Sequence, residues 1–70
     1  MNRKFKIMIS SDITYQKLVS EIYYNDDLIA QISQDDGIDQ PKIRIFQSDI
    51  LFSLKEFSET IEQAIKKLKD

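Results

Sequence analysis

The feature that most constrains the fold is an apolar stripe near the C-terminus. Apolar residues recur there at steps of three and four: Leu54, Phe57, Ile61, Ala64, Ile65 and Leu68. This spacing places them along one side of an α-helix, which we predict over about residues 54–69. Ser53 and Glu56 have the spacing of a capping box at its start. A helix with one apolar side needs an apolar surface to pack on, so the rest of the chain must supply one.

The rest of the chain has the residue alternation of a β-sheet. Its β-prone and alternating segments predict strands over about residues 3–10, 18–24, 28–34 and 42–46. Residues 49–52 form either a fifth, short edge strand or an irregular approach to the helix. Asn25, Asp26 and Asp27 predict a hairpin turn, because Asn and Asp tolerate left-handed backbone conformations. Gly37 and Pro41, the chain's only glycine and proline, delimit a later loop.

These elements predict one α+β domain over residues 1–70. Its sheet is an antiparallel meander of four strands, or five, with the C-terminal helix packed on one face. Leu28, Ala30 and Ile32 are expected to share one face of the sheet. The other face is expected to be mixed in character, with Ile29, Gln31, Ser33, Glu21, Arg44 and one of the two adjacent tyrosines. This second face is open to a partner or to a second copy of the chain.

Acidic residues are concentrated in one part of the sequence. Residues 12–40 hold seven acids and one base, Lys17, a net charge of −6, whereas the whole chain has −2. In a meander, alternate loops share an end of the sheet. We therefore expect an acidic rim at one end, with Asp26 and Asp27 at the other end near Arg3 and Lys4. The rim would be formed by Asp12, Asp35, Asp36 and Asp39.

This rim has two interpretations. Aspartate is common in turns because its side chain bonds to nearby backbone, so an acidic loop needs no partner. Alternatively, the charge serves to attract a cationic surface, which accelerates association and improves specificity. Tyr23 and Tyr24, adjacent on a strand, point to opposite faces. The exposed one of them is predicted to anchor a partner, unless both only cover the sheet and form local hydrogen bonds.

Several functions lack the residues that they require. The chain has no cysteine and no histidine, which excludes disulfides, thiolate nucleophiles and the common zinc ligand sets. There is no glycine-rich phosphate loop, and residues 35–39 do not fit the register of a calcium loop. We therefore expect no catalytic residue, no metal site and no cofactor. Without an apolar run of bilayer length or a signal-peptide core, we expect a cytoplasmic protein with no membrane association.

Direct nucleic-acid binding is also disfavoured. The chain has 12 acidic and 10 basic residues, which does not suit a phosphate-binding surface. Five bases would share a strand face only if the first and fourth strands were neighbours, and a simple meander separates those strands. They are Arg3, Lys4, Lys6, Lys42 and Arg44.

Three segments carry a resemblance to a known group of proteins. These are LVSEIYYNDDLIAQISQDDG from Leu18, then KIRIF, then FSLKEFSETIEQAIKKL. In size, acidity and element order the chain resembles the small acidic immunity proteins of bacterial contact-dependent growth inhibition and other polymorphic toxin systems. The resemblance implies a cytoplasmic inhibitor. It would bind a cognate toxin domain, often a nuclease, and cover its cationic active site with acidic side chains in place of substrate phosphates.

The expected function is therefore non-enzymatic protein binding, with toxin immunity as its leading form. Asp35, Asp36 and Asp39 would supply the charge, Asp12 would add to it, and Tyr23 or Tyr24 would anchor the partner. The alternative is a small structural or regulatory subunit that associates through the open sheet face or an edge strand. In that case the charge is incidental.

Overall fold

The chain folds into a four-stranded antiparallel sheet with one helix packed against it, which confirms the predicted α+β class. The computed structural model describes residues 5–47 and 49–69, so the predicted strand residues 3 and 4 lie outside the described part. The elements are β1 (Phe5–Ser10), β2 (Val19–Tyr24), β3 (Asp27–Ser33), β4 (Lys42–Ile45) and α1 (Leu54–Lys69). The strand order β1-β2-β3-β4 is the predicted meander.

Local sequence signals set the turn between β2 and β3 and the start of α1. Asn25 and Asp26 have φ angles of 52° and 71°, the left-handed pair that a two-residue hairpin of type I′ requires. At the helix start, the Glu56 N–H donates to the Ser53 hydroxyl at 3.2 Å. Ser53 therefore caps the helix as predicted.

The core lies between α1 and the face of the sheet that we call the helix face. Ile22, Ala30 and Ile32 are buried there with Ala64 of α1. The buried Ser20 hydroxyl donates to the Ala64 carbonyl at 3.0 Å, and the small Ala64 side chain allows this close approach of helix and β2. At one end of the core, four aromatic rings pack together with neighbouring centroids 4.8–6.0 Å apart: Phe5, Tyr24, Phe52 and Phe57.

A β-bulge in β3 changes the predicted faces of that strand. Ile22 of β2 is opposite Ala30, but the next residue, Tyr23, is opposite Leu28. Ile29 is thus the extra residue, and it joins Ala30 on the helix face, where it is 2% exposed. The predictions that Ile29 lies on the opposite face and that Leu28 lies with Ala30 are wrong, because they assumed unbroken alternation.

The segment before the helix is irregular. Residues 49–53 form no strand. Of the two alternatives predicted for residues 49–52, the irregular approach to the helix is therefore the one observed, and the meander has four strands. Ile50 and Phe52 are half-buried and pack against the core instead. Leu54, predicted to lie in the apolar stripe, is 77% exposed, whereas the later residues of the stripe are half or fully buried.

The face of the sheet opposite α1, which we call the open face, is contacted by the loop between β1 and β2, where Asp12 accepts from the Gln31 amide. Val19 and Gln31 lie on this face and are nonetheless buried. At the two edges of the sheet, β1 and β4 are separated by β2 and β3. The basic residue of β1, Lys6, therefore does not share a basic surface with Lys42 and Arg44 of β4. Arg3 and Lys4 lie outside the described residues. Within the described ranges, no helix has the length and hydropathy needed to span a bilayer.

Candidate functional site

Two loops meet at one end of the sheet, and we call this region the acidic end (residues 11–18 and 34–41). They join β1 to β2 and β3 to β4, so the meander brings them together as predicted. The Asp35 carboxylate fastens one loop to the other. It accepts hydrogen bonds from the Gln16 and Lys17 N–H groups, both at 3.0 Å. A third link runs from the Gln34 side-chain amide to the Leu18 carbonyl at 3.0 Å.

Asp12 connects the first loop to the sheet. One carboxylate oxygen accepts from the Thr14 N–H at 2.8 Å, which closes a local turn. The other accepts from the Gln31 side-chain amide at 3.0 Å. These two bonds hold the pKa of the Asp12 carboxyl below its ordinary value of 3.8, and the bond from the Thr14 backbone has the largest effect. The charge of Arg44 makes a smaller contribution in the same direction.

The lowered pKa of Asp12 predicts an acid-sensitive contact between the first loop and the sheet. Because the folded-state pKa lies below the unfolded one, the stabilisation is fully present above the ordinary pKa of 3.8 and is lost as the pH falls through the folded-state pKa. The side-chain amide protons of Gln31, followed by NMR, should therefore shift with a midpoint below that value. The variant Asp12→Asn should lack this transition. A midpoint at or above the ordinary value would contradict the assignment.

The second acidic loop is ordered by two successive turns. The Gly37 N–H donates to the Gln34 carbonyl at 2.9 Å, and the Gln40 N–H donates to the Gly37 carbonyl at 3.1 Å. Gly37 has a φ of 106°, a conformation that side chains disfavour, which explains why glycine lies here. Asp36 and Asp39 are exposed on these turns.

Asp36 already has a cationic neighbour. Its carboxylate forms an ion pair with the Lys42 ammonium at 2.6 Å, and the two side chains are 51% and 72% exposed. The hydrogen bond and charge of Asp36 raise the pKa of Lys42. The acidic end therefore contains four aspartates and one lysine, Lys17, and Lys42 lies beside it at the start of β4. Its negative charge is smaller than the −6 of residues 12–40, because Asp26 and Asp27 lie at the opposite end of the sheet.

The predicted tyrosine anchors are not part of the acidic end. Tyr23 and Tyr24 adjoin the β2–β3 turn, at the other end of β2. Tyr24 packs in the aromatic cluster of the core, 4.8 Å from Phe5 between ring centroids. Tyr23 lies on the open face, where its hydroxyl donates to Glu21 at 3.3 Å. The pKa of Tyr23 is raised, mainly by burial and also by the Glu21 carboxylate.

Two apolar residues of the acidic end were not predicted as site residues. Ile13 is fully exposed and Leu18 is 51% exposed. Ile13 is an isolated apolar residue in a polar loop, so its side chain could either cover one end of the core or remain exposed to contact a partner. Its full exposure supports contact with a partner. The bonds of Asp35 were also missed, because their donors lie 18 and 19 residues away in the sequence.

The acidic end has the properties of a binding surface. Asp35, Asp36 and Asp39 are exposed and Asp12 is half-buried. Two of the four carboxylates, those of Asp12 and Asp35, are oriented by hydrogen bonds to backbone or amide groups. Within residues 5–47 and 49–69, no group of three or more acidic residues is arranged to hold a metal ion. Oriented carboxylates next to exposed apolar side chains can form ion pairs and hydrophobic contacts with another protein.

Comparisons with known proteins give no family for this chain. No protein-family model matches it, and neither the curated proteins nor the solved structures yield a significant match. The resemblance to immunity proteins therefore stays a prediction.

Proposed function

We propose that this protein is a non-enzymatic inhibitor that docks its acidic end on a cationic surface of a partner protein. Its most concrete form is an immunity protein that neutralises a cognate bacterial toxin domain, a nuclease in the leading version. The supporting observation is the fastening of two separate loops by Asp35. This contact turns two loops into one surface.

Fastened loops favour binding because less conformational entropy is lost on association. Asp35 is at the join, bonded to two N–H groups of the first loop. Asp36 and Asp39 follow in the ordered turns of the second loop. Their carboxylates are thus presented from a defined backbone rather than from a flexible chain.

The ion pair between Asp36 and Lys42 does not prevent this role. Exposed pairs of this kind contribute only about 0–1 kcal/mol, and both partners here are more than half exposed. An arginine of the partner can bind a carboxylate through two parallel hydrogen bonds, which a lysine cannot do. A cationic partner can therefore take the place of Lys42 at small cost.

Ile13 and Leu18 give the acidic end an apolar component. Interfaces commonly combine apolar contacts at the centre with charged groups at the rim. A fully exposed isoleucine contributes nothing to the core of the free protein, and burial of such a side chain on binding is favourable by about 1.5–3 kcal/mol. At the acidic end, Ile13 takes over the anchoring role that the sequence assigned to Tyr23 or Tyr24.

Capture of partners from a lysate of the source cells tests the proposal. Immobilised wild-type protein should retain a basic protein at low salt and release much of it at high salt, because exposed charges are screened. The purified partner should possess a toxic activity, nuclease in the leading version, that the wild-type protein inhibits. Ile13→Ser should weaken capture without unfolding the domain. An acidic partner would contradict docking through the acidic end. So would a partner whose retention depends neither on the salt concentration nor on Ile13.

A further inference from the structure

Among residues 5–47 and 49–69, no strand pairs with the outer edge of β4. All four residues of β4 are exposed, with Ile43 at 45% and Ile45 at 50%. The Phe46 N–H donates to the Ile29 carbonyl at 2.8 Å and continues the pairing with β3. Because hydrogen bonding alternates along an antiparallel strand, the backbone groups of Ile43 and Ile45 point away from β3. They are free to pair with another strand.

The helix leaves the sheet uncovered beside this edge. α1 packs mainly on β2 and β1, so two hollows remain between α1 and β4 on the helix face. One has a volume of about 280 Å³ and is lined by Ile29, Ile45, Gln47, Ile50, Phe52 and Phe57. The other, of about 140 Å³, lies at the start of β4 between Ile43 and the helix residues Ile61 and Ile65. A side chain entering from beyond β4 on this face meets mostly apolar groups.

The other face of β4 is cationic. Lys42 is opposite Ser33 and Arg44 is opposite Gln31, so both point to the open face. Lys42 is paired with Asp36 but is 72% exposed, and its ammonium has three donors. An added strand would therefore meet apolar side chains at alternate positions and basic ones between them.

This alternation disfavours a second copy of the chain. When two β4 strands pair antiparallel about a two-fold axis, the helix faces of both copies lie on the same side of the joined sheet, and so do the open faces. In the registers that pair most of β4 with itself, Lys42 would lie opposite Arg44, or Arg44 opposite its own copy. Like charges directly opposite each other destabilise a sheet.

We propose that the outer edge of β4 binds an extended segment of another protein in which apolar residues alternate with aspartate or glutamate. The segment adds as a fifth strand. Its apolar side chains enter the hollows beside α1, and its carboxylates pair with Lys42 and Arg44. The edge of β1 does not offer this combination, because the hollow between β1 and α1 has two apolar residues and five polar or charged ones: Glu56, Glu59, Thr60, Gln63 and Lys67. This binding site adjoins the acidic end through the ion pair of Lys42 with Asp36, but it uses a different surface and goes beyond the proposed inhibitory function.

Two matched peptides test this site. In the first, valine alternates with glutamate; in the second, lysine replaces each glutamate. In an NMR titration of the labelled protein, the glutamate peptide should shift the amides of Ile43 and Ile45 and protect them from hydrogen exchange. It should bind about tenfold more tightly than the lysine peptide, as two favourable cross-strand charge pairs imply.

Two variants identify the contacts. Lys42→Gln with Arg44→Gln should remove most of the preference for glutamate. Ile45→Pro should abolish binding, because it removes an N–H that points outward while the pairing with β3 is kept. Unchanged amide shifts in β1 and β2 show that each variant is folded.

Equal affinity for the two peptides, shifts confined to the acidic end or to β1, or binding that survives Ile45→Pro would overturn the proposal. So would self-association of the protein through β4, seen by sedimentation as a concentration-dependent dimer. Asp36→Asn with Asp39→Asn should leave the peptide bound. A failure of this site is therefore distinguishable from a failure of the acidic end.

Discussion

Replacing Ile29 by lysine is expected to unfold the domain at room temperature. Ile29 is 2% exposed and belongs to the core cluster. Loss of a buried side chain of this size costs about 2–5 kcal/mol, and an unpaired ammonium in the same place adds several more. A single core in a chain of this length supplies only about 3–5 kcal/mol in total, so the loss exceeds the available stability.

The neighbouring substitution Leu28→Lys is the matched control. Leu28 lies opposite Tyr23 on the open face, and it is half-buried. A lysine there can lay its methylene groups on the sheet and extend its ammonium into water. We expect a cost of about 1 kcal/mol and a folded protein.

Far-UV circular dichroism and urea denaturation of the two variants test the bulge directly. With the bulge at Ile29, the Ile29 variant is unfolded and the Leu28 variant shows a cooperative transition. If β3 alternated without interruption, the order would reverse, with Leu28→Lys unfolded and Ile29→Lys tolerated. That reversal would contradict the register of the sheet.

Much of the fold is predictable because its signals are local. The helix period, the capping Ser53 and the left-handed pair Asn25 and Asp26 each depend on a few neighbouring residues. The strand order follows from short connections, which favour neighbours in sequence as neighbours in the sheet. These signals agree with one another, and the elements occur close to their predicted bounds.

The bulge and the segment before the helix were not predictable in the same way. The order of apolar and polar residues along β3 is equally compatible with a bulged and a regular register, and the choice depends on how β2 and α1 pack around the strand. Residues 49–52 have strand-like spacing, but Ile50 and Phe52 bury themselves against the core without a strand partner. Both outcomes are set by tertiary packing.

The candidate site was predictable only in outline. The meander topology brings together the loops of Asp12 and Asp35, because alternate loops share an end of the sheet. The same topology puts Tyr23 and Tyr24 at the other end, as the predicted strand over residues 18–24 and the turn after it already implied. Which carboxylates bond internally depends on contacts between distant segments, such as that of Asp35 with Gln16 and Lys17.

Removing two charges from the acidic end should slow association with a cationic partner by about tenfold at low salt. The variant Asp36→Asn with Asp39→Asn is suited to this test. It leaves Asp12 and Asp35 in place, so the hydrogen bonds that fasten the first loop to the sheet and to the second loop are kept. The amide shifts of Gln16 and Lys17 verify that the surface is intact.

Asp26→Asn with Asp27→Asn is the matched control. It removes the same number of charges at the opposite end of the sheet, and asparagine tolerates the left-handed conformation of residue 26. Both double variants raise the net charge from −2 to zero. Any difference between them therefore comes from the position of the charge.

The most direct test of docking through the acidic end is the association rate of both double variants with the captured partner, measured by stopped flow at low and high salt. We predict that Asp36→Asn with Asp39→Asn slows association at low salt, that the control binds nearly as fast as the wild type, and that high salt removes the difference. Equal rates for the two variants at low salt would contradict the account, because the location of the aspartates would then have no effect on binding.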